Sequence, residues 1–206
     1  MDHKLVQIPD RMAHLELDHR GYPIPWTVYR DENNRGHFQI NDGAKRLEAI
    51  FNELCPICGK KLLRGRWFVG GPMSAFHERG AYVDPPMHNE CARYALMVCP
   101  YLAVPHYGKR VEDKTLGSSR PTLLVDETMI ERRPDLFISV MATRQHVTGN
   151  VSPRIIPGKP FVRVEYWRHG KQLKPAEGLA LLTTDQLTWQ SHLDTRRKHV
   201  KLIHSK

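Results

Sequence analysis

Short apolar runs, separated by Pro- and Gly-rich breaks, alternate along the chain between strand-like and helix-like spacing. Residues 26–30 and 37–40 alternate apolar and polar positions on either side of a polar turn, which predicts a small β-hairpin. Residues 43–54 repeat apolar residues at helical spacing, directly after Asn41 or Asp42 as a capping residue. We therefore expect a hairpin followed by a helix. The apolar, core-facing positions of that helix would be Ala44, Leu47, Ile50, Phe51 and Leu54.

The next part of the pattern predicts a second hairpin and a second helix. Residues 64–69 and 81–83 resemble two strands, separated by a sharp Gly- and Pro-containing break at 70–73. A helix is expected over residues 86–98, because proline is tolerated in the first turn of a helix and the Cys-Pro pair at 99–100 disfavours its continuation. Residues 101–120 are rich in Pro, Gly, Lys and Ser, which indicates a linker or a long surface loop.

The apolar pattern returns in the C-terminal part of the chain. Strand-like runs are found at residues 122–125, 136–140 and 161–168. A loop broken by Gly and Pro is expected at 146–160, and a turn at 169–171. Thr183 and Gln186 have the spacing of a capping box, so a last helix should begin there. The far end of that helix is basic, which suits the dipole at a helix C-terminus.

Together these elements predict an α+β fold. We expect residues 1–100 to contain a zinc finger, residues 101–120 to form the linker, and residues 121–206 to form a strand-rich region with a final helix. A chain of 206 residues is long enough to bury a core of its own, so a metal site need not stabilise the whole fold. No apolar run reaches the roughly 20 residues that a membrane-spanning helix requires.

Candidate chemistry is concentrated between Cys55 and Cys91. Two pairs of ligand-capable residues, Cys55 with Cys58 and His88 with Cys91, each enclose two residues, and 29 residues lie between the two pairs. Thiolate and imidazole ligands in two close pairs are typical of a tetrahedral structural zinc. Gly59 permits the sharp turn, here called the knuckle (residues 55–59), that follows the first pair. The order of knuckle, hairpin and helix predicts a treble-clef-like zinc finger that binds one structural Zn²⁺.

The spacing of the cysteines allows two other interpretations. A redox Cys-x-x-Cys pair normally opens a helix, and the Gly-Lys-Lys sequence at 59–61 argues against a helix there. Cys99 lies two turns beyond Cys91 on the same predicted helix, about 12 Å along its axis. We interpret Cys99 as a buried thiol, with the replacement of His88 as a ligand left open.

The net charge is +9, and its distribution changes at the knuckle. Residues 1–54 carry a net charge of −2, residues 55–110 carry +5, and residues 111–206 carry +6. A basic surplus of this kind is typical of proteins that bind nucleic acid, although a solvated basic surface has the same composition. The candidate phosphate contacts beside the knuckle are Lys60, Lys61, Arg64 and Arg66.

Enzymatic and non-enzymatic alternatives follow from the motifs. The sequence has no Walker-type phosphate loop, no Gly-x-Ser-x-Gly and no dinucleotide fingerprint. A ββα-metal nuclease would need catalytic residues in the order His-Asn-His. His77, Asn89 and Glu90 do not complete this order, because His88 is used as a zinc ligand and the helix then has no second His. An enzyme is therefore disfavoured. An inhibitor or adaptor that covers the surface of a host protein is the remaining alternative. The oligomeric state is left open.

Several motifs resemble an uncharacterised family of small zinc-binding proteins from bacteria and their phages or mobile elements. They are the segment 20–26 (RGYPIPW), the Cys55-x-x-Cys58-Gly59 knuckle, the segment 71–73 (GPM), the segment 85–95 (PPMHNECARYA) and Cys99-Pro100. The resemblance implies a prokaryotic or phage setting and no particular reaction. Four cysteines in a zinc-like arrangement, without a hydrophobic signal sequence, also indicate a reducing cytosol.

Overall fold

The computed structural model describes residues 5–104, 134–150 and 152–203. In chain order, its helices and strands there are β1 (Val28–Arg30), β2 (Gly36–Asn41), α1 (Gly43–Phe51), β3 (Arg66–Gly70), α2 (Pro72–Phe76), α3 (Asn89–Val98), α4 (Pro100–Ala103), β4 (Phe137–Ala142), β5 (Gln145–Thr148), β6 (Arg154–Pro157), β7 (Arg163–Arg168), β8 (Lys171–Leu173), α5 (Pro175–Leu179) and α6 (Thr184–Ile203). The mixture of helices and small sheets, with many strands late in the chain and a final helix, confirms the predicted α+β class. Within the described residues, no helix is long and apolar enough to cross a bilayer.

A four-stranded antiparallel sheet in the order β3-β4-β7-β8 lies at the centre. Phe68 of β3 is paired with Val140 of β4, and Ile138 of β4 is paired with Tyr166 of β7. β3 belongs to the first predicted region and the other three strands belong to the second. One sheet therefore contains strands from both regions.

Both faces of this sheet are covered, because successive side chains of a strand point to opposite sides. Phe68, Val140 and Tyr166 belong to a core that also includes side chains from α1, α2 and α5. On the opposite face, Trp67 belongs to the core around the knuckle and α3, and Trp167 packs with Leu96 of α3. The candidate metal ligands lie in the core of this second face.

The predicted hairpin between the two ligand pairs is wrong. Residues 81–83 form no strand, and α2 (Pro72–Phe76) begins inside the predicted break at 70–73. The neighbour of β3 along its whole length is β4, and on the other side Trp67 alone is bridged to Met87, with N···O distances of 3.0 and 2.7 Å. β3 therefore completes its backbone hydrogen bonds with a strand that comes much later in the sequence.

The predicted loop at 146–160 is also wrong. It contains most of a β-hairpin formed by β5 and β6. Gly149, at a φ of +82°, lies between the two strands, in a conformation that glycine adopts without steric cost. The Gly and Pro residues of this segment thus lie at the ends of the short strands, and their presence is compatible with a hairpin.

The first hairpin and the cap of α1 are confirmed. β1 and β2 are paired around the turn at 31–35, and the Asp42 carboxylate accepts hydrogen bonds from the N–H groups of Ala44 and Lys45 at 3.0 and 3.1 Å. Of the predicted apolar face of α1, Ile50 is buried in the core, whereas Ala44, Leu47 and Phe51 are exposed. Leu47 is 38% exposed and Phe51 is 68% exposed. The buried residues of α1 are Arg46, Ala49 and Ile50.

Other boundaries differ from the predicted ones for local reasons. α3 begins at Asn89 instead of residue 86, because the two prolines lie in an extended segment that leads to the bridge at Met87. Residues 100–103 of the chain form the short helix α4. The remainder of the predicted linker from residue 105, and the strand predicted at 122–125, lie outside the described residues. The capping box is confirmed, with Thr183 and Gln186 exchanging bonds of 3.1 and 3.3 Å.

Candidate metal centre

The four predicted ligands lie together in the structure. The Sγ atoms of Cys55, Cys58 and Cys91 and a ring nitrogen of His88 are all within 4.8 Å of one another, and all four residues are buried. The first two ligands are held by the knuckle, in which the Cys55 N–H donates to the carbonyl of Lys60 at 2.9 Å. Backbone N–H groups of Cys58 and Lys60 also donate to the sulfurs of Cys55 and Cys58, respectively.

The knuckle is covered by the segment around Trp26. Gly59 has a φ of +69°, and a Cβ atom there would lie 2.9 Å from Cγ of the Trp26 ring. The Trp26 N–H donates to the carbonyl of Ile57 at 2.8 Å, and the Thr27 N–H donates to that of Pro56 at 3.0 Å. Glycine is therefore required at position 59 both by its backbone conformation and by the indole ring above it.

His88 contributes through Nδ1, because its other nitrogen is already used. Nε2 lies 2.9 Å from the carbonyl oxygen of Lys61, to which its N–H donates, and Nδ1 lies 3.3 Å from Sγ of Cys58. When a carbonyl accepts a hydrogen bond from one imidazole nitrogen, that nitrogen carries the proton. The other nitrogen then has a free lone pair with which it can bind a metal ion. His88 is the N-cap residue of α3, and Cys91 lies in the first turn of that helix. His88 thus precedes α3, whereas the sequence predicted that it lies on the helix.

Contacts among the three sulfur atoms shift their pKa values in opposite directions. Hydrogen bonds from Cys55 and Cys91 lower the pKa of Cys58 to about 2. Burial raises the pKa of Cys55 to about 11, and hydrogen bonding to Cys55 and Cys58 raises the pKa of Cys91. A bound divalent cation supplies the positive charge that three adjacent thiolates require.

The donor set fits a tetrahedral metal ion. All four ligands are supplied by the chain, the sulfurs of Cys55 and Cys58 accept backbone hydrogen bonds, and the imidazole is oriented by a carbonyl. Cys99 is not a member of the cluster, and it is half-buried at the junction of α3 and α4, where the sequence predicted a buried thiol. In the part of the chain that the structure describes, this is the one group of three or more Cys, His, Asp or Glu residues with ligand geometry.

The four basic candidates beside the knuckle lie in two different environments. Lys60, Lys61 and Arg64 are exposed, whereas Arg66 is half-buried. Lys61 donates to the carbonyl of Asn52 at 2.9 Å and lies 3.8 Å from the Glu53 carboxylate, and Arg66 donates to Glu53 at 2.5 Å. One carboxylate therefore offsets part of the positive charge of Lys61 and Arg66.

His77, Asn89 and Glu90, the candidate residues of a ββα-metal nuclease, do not lie together as such an active site requires. The ring of His77 packs edge-on against that of Trp189, with centroids 4.8 Å apart, and its Nδ1 accepts from the N–H of Arg79. Asn89 and Glu90 are exposed in the first turn of α3, and Glu90 lies 3.7 Å from Arg11. The structure thus brings together the four zinc candidates and does not bring His77 into that cluster.

Sequence reasoning missed the groups that orient the ligands. The carbonyl of Lys61 and the backbone of Trp26 act through main-chain atoms, and these leave no signature in residue type. A comparison of the chain with protein-family models, with curated proteins and with solved structures finds no match.

Proposed function

We propose that this protein is a zinc-stabilised binding protein that engages nucleic acid through a basic surface beside the knuckle. Zn²⁺ is the ion favoured by three thiolates and one imidazole in tetrahedral arrangement. A site whose four positions are all filled by protein ligands is typical of a structural ion, since a catalytic zinc keeps one position for water or substrate. The buried Cys₃His cluster is the observation that supports this proposal.

The nucleic-acid part of the proposal is supported by charge. The chain has a net charge of +9, and the surplus begins at the knuckle. Lys60 and Arg64 are the leading candidates for phosphate contacts, because both side chains are exposed beside the metal site. Lys61 and Arg66 would contribute less, because each is already paired with Glu53.

A salt titration of DNA binding tests this proposal. We expect fluorescence anisotropy with a labelled duplex to give an affinity that falls linearly with salt concentration on a log–log plot. The double variant Lys60→Gln/Arg64→Gln should lower the slope by about 0.9 for each phosphate that is no longer neutralised. A double variant with the same charge change on other elements, Arg79→Gln/Lys171→Gln, is the control. Absence of binding by the wild type in 50 mM salt would refute nucleic-acid binding.

An adaptor or inhibitor that binds a host protein is the second candidate, and the surface of α1 favours it. Leu47 and Phe51 lie one turn apart and are both exposed. Exposed apolar side chains in a row on a helix are typical of surfaces that pair with another protein. A host protein that co-purifies with the wild type and is absent with Phe51→Ser would favour this candidate. The bacterial or phage cytosol implied by the family resemblance is where such a partner would be sought.

A further inference from the structure

A buried carboxylate on the central sheet holds two arginines side by side. The Glu165 side chain, on β7, is only 1% exposed. Its Oε1 atom accepts a hydrogen bond from Arg93 of α3 at 3.2 Å and forms an ion pair with Nε of Arg163 at 2.9 Å. Its Oε2 atom accepts from the indole N–H of Trp167 at 3.2 Å. Because both arginines meet at one oxygen atom, their guanidinium groups are neighbours.

Two tryptophan rings fix the same two arginines. Cζ of Arg93 lies 5.4 Å from the centroid of the Trp167 ring, and Cζ of Arg163 lies 5.9 Å from that of Trp67. Arg93 also donates to the side-chain oxygen of Gln172 at 2.6 Å. A guanidinium held by a carboxylate and an aromatic ring loses little further conformational entropy when it binds a ligand.

The charges of this cluster do not cancel. Two arginines face one carboxylate, which leaves one surplus positive charge. The carboxylate lies in the interior, whereas the side chain of Arg163 is 56% exposed and that of Arg93 is 35% exposed. Glu90, one turn earlier on α3, pairs with Arg11. The surplus charge is therefore accessible from solvent.

We propose that Arg93 and Arg163 form a pre-organised anion site that binds one phosphate group of a nucleic-acid backbone. The proposal rests on the proposed function and adds to it a contact from the C-terminal half of the chain. Planar guanidinium forks match the oxygens of a phosphate group and bind them with two parallel hydrogen bonds. A phosphodiester carries one negative charge, which equals the surplus of the cluster. Glu165 and the two indole rings act as positioning groups.

The alternative is that these residues form an ion-pair network with a purely structural role. The salt dependence of duplex binding distinguishes this alternative from a phosphate site. We expect Arg163→Gln to weaken duplex binding and to lower the log–log salt slope by about 0.9, the value for one neutralised phosphate. Arg79→Gln, which removes one charge from an exposed arginine in the turn after α2, should change neither quantity beyond experimental scatter. Thermal unfolding of both variants, measured in the same buffer, shows whether the fold is retained.

A conservative variant keeps the test decisive if Arg163→Gln does not fold. Arg163→Lys retains the charge and lacks the fork, so its salt slope should remain near that of the wild type while its affinity falls several-fold. An affinity of Arg163→Lys equal to that of the wild type would overturn the proposal. An unchanged salt slope in a folded Arg163→Gln protein would do the same and would leave the proposed function standing. If the wild type binds no DNA in 50 mM salt, both proposals fall.

Discussion

At the scale of single residues, the backbone carbonyl of Lys61 decides which nitrogen of His88 faces the sulfur atoms. It accepts the Nε2–H bond at 2.9 Å, so Nδ1 is the nitrogen directed at Cys58. Removing outer hydrogen bonds of this kind commonly changes metal affinity 10- to 100-fold. The loop after the knuckle thus contributes to the site through its main chain, whatever side chain it carries at position 61.

The ligand assignment predicts different zinc contents when Cys91, in α3, and Cys99, at its C-terminal end, are each replaced. Replacing Cys91 with Ser removes a buried thiolate ligand, so purified Cys91→Ser protein should contain far less than the one zinc equivalent expected for the wild type. Cys99→Ser is the matched control, because Cys99 lies outside the cluster, and it should retain the full equivalent. Elemental analysis of the purified proteins measures both. A zinc content equally reduced in the two variants would contradict the ligand assignment.

At the scale of elements, α1 is oriented by an arginine. The fully buried Arg46 donates through Nε and one terminal nitrogen to the carbonyl of Val83 at 2.9 and 2.6 Å. The same terminal nitrogen donates to the carbonyl of Pro153 at 2.6 Å. A buried guanidinium must have such partners, since an unpaired charge in the interior is costly. These bonds connect α1 to the segment before His88 and to the loop before β6.

The orientation of α1 predicts unequal effects for two adjacent substitutions. Ile50 lies in the core, so Ile50→Ala should lower the free energy of unfolding by about 2–5 kcal/mol, the usual range for such a truncation. The neighbouring Phe51 is mostly exposed, and Phe51→Ala should change that free energy by less than about 0.5 kcal/mol. Urea unfolding followed by circular dichroism measures both. Equal losses of stability would place Phe51 in the core and contradict this orientation.

At the scale of the whole molecule, the central sheet separates two cores. The metal ligands and α3 lie on one face. On the other face a larger core is built from α1, α2, α5 and the sheet, and it contains none of the ligands. Structural zinc contributes roughly 10–16 kcal/mol of apparent binding free energy in isolated finger peptides. Because the second core does not contain the site, loss of the ion should affect the two faces differently.

Removal of the metal should therefore unfold one part of the molecule. With a strong chelator, we expect hydrogen exchange to accelerate at the knuckle, at the bridge between Trp67 and Met87, and in the first turn of α3. Amide protection in the β4–β7 ladder should remain, because its hydrogen bonds and the core beneath it do not involve the ligands. A variant that cannot bind metal, Cys91→Ser, should give the same pattern without chelator. Equal loss of protection in both regions would mean that the ion stabilises the entire fold.

Features that depend only on neighbouring residues could be predicted from the sequence. The ligand pairs at 55–58 and 88–91, the Asp42 cap and the Thr183 capping box were all predictable, because spacing and residue type within a few positions decide them. The turn after β7 was predictable for the same reason, since its His-Gly pair at 169–170 adopts positive φ.

Only the tertiary structure decided which distant segments meet. β3 is paired with β4, a strand that is distant in the sequence. A local hairpin would form the same backbone hydrogen bonds, and the apolar pattern does not distinguish between these two pairings. Arg46 is buried despite its charge, because carbonyls 37 and 107 residues away accept its hydrogen bonds. Arg93 and Glu165 are 72 residues apart and meet because α3 crosses the sheet there. Such pairings depend on the packing of whole elements, which periodicity along the chain does not specify.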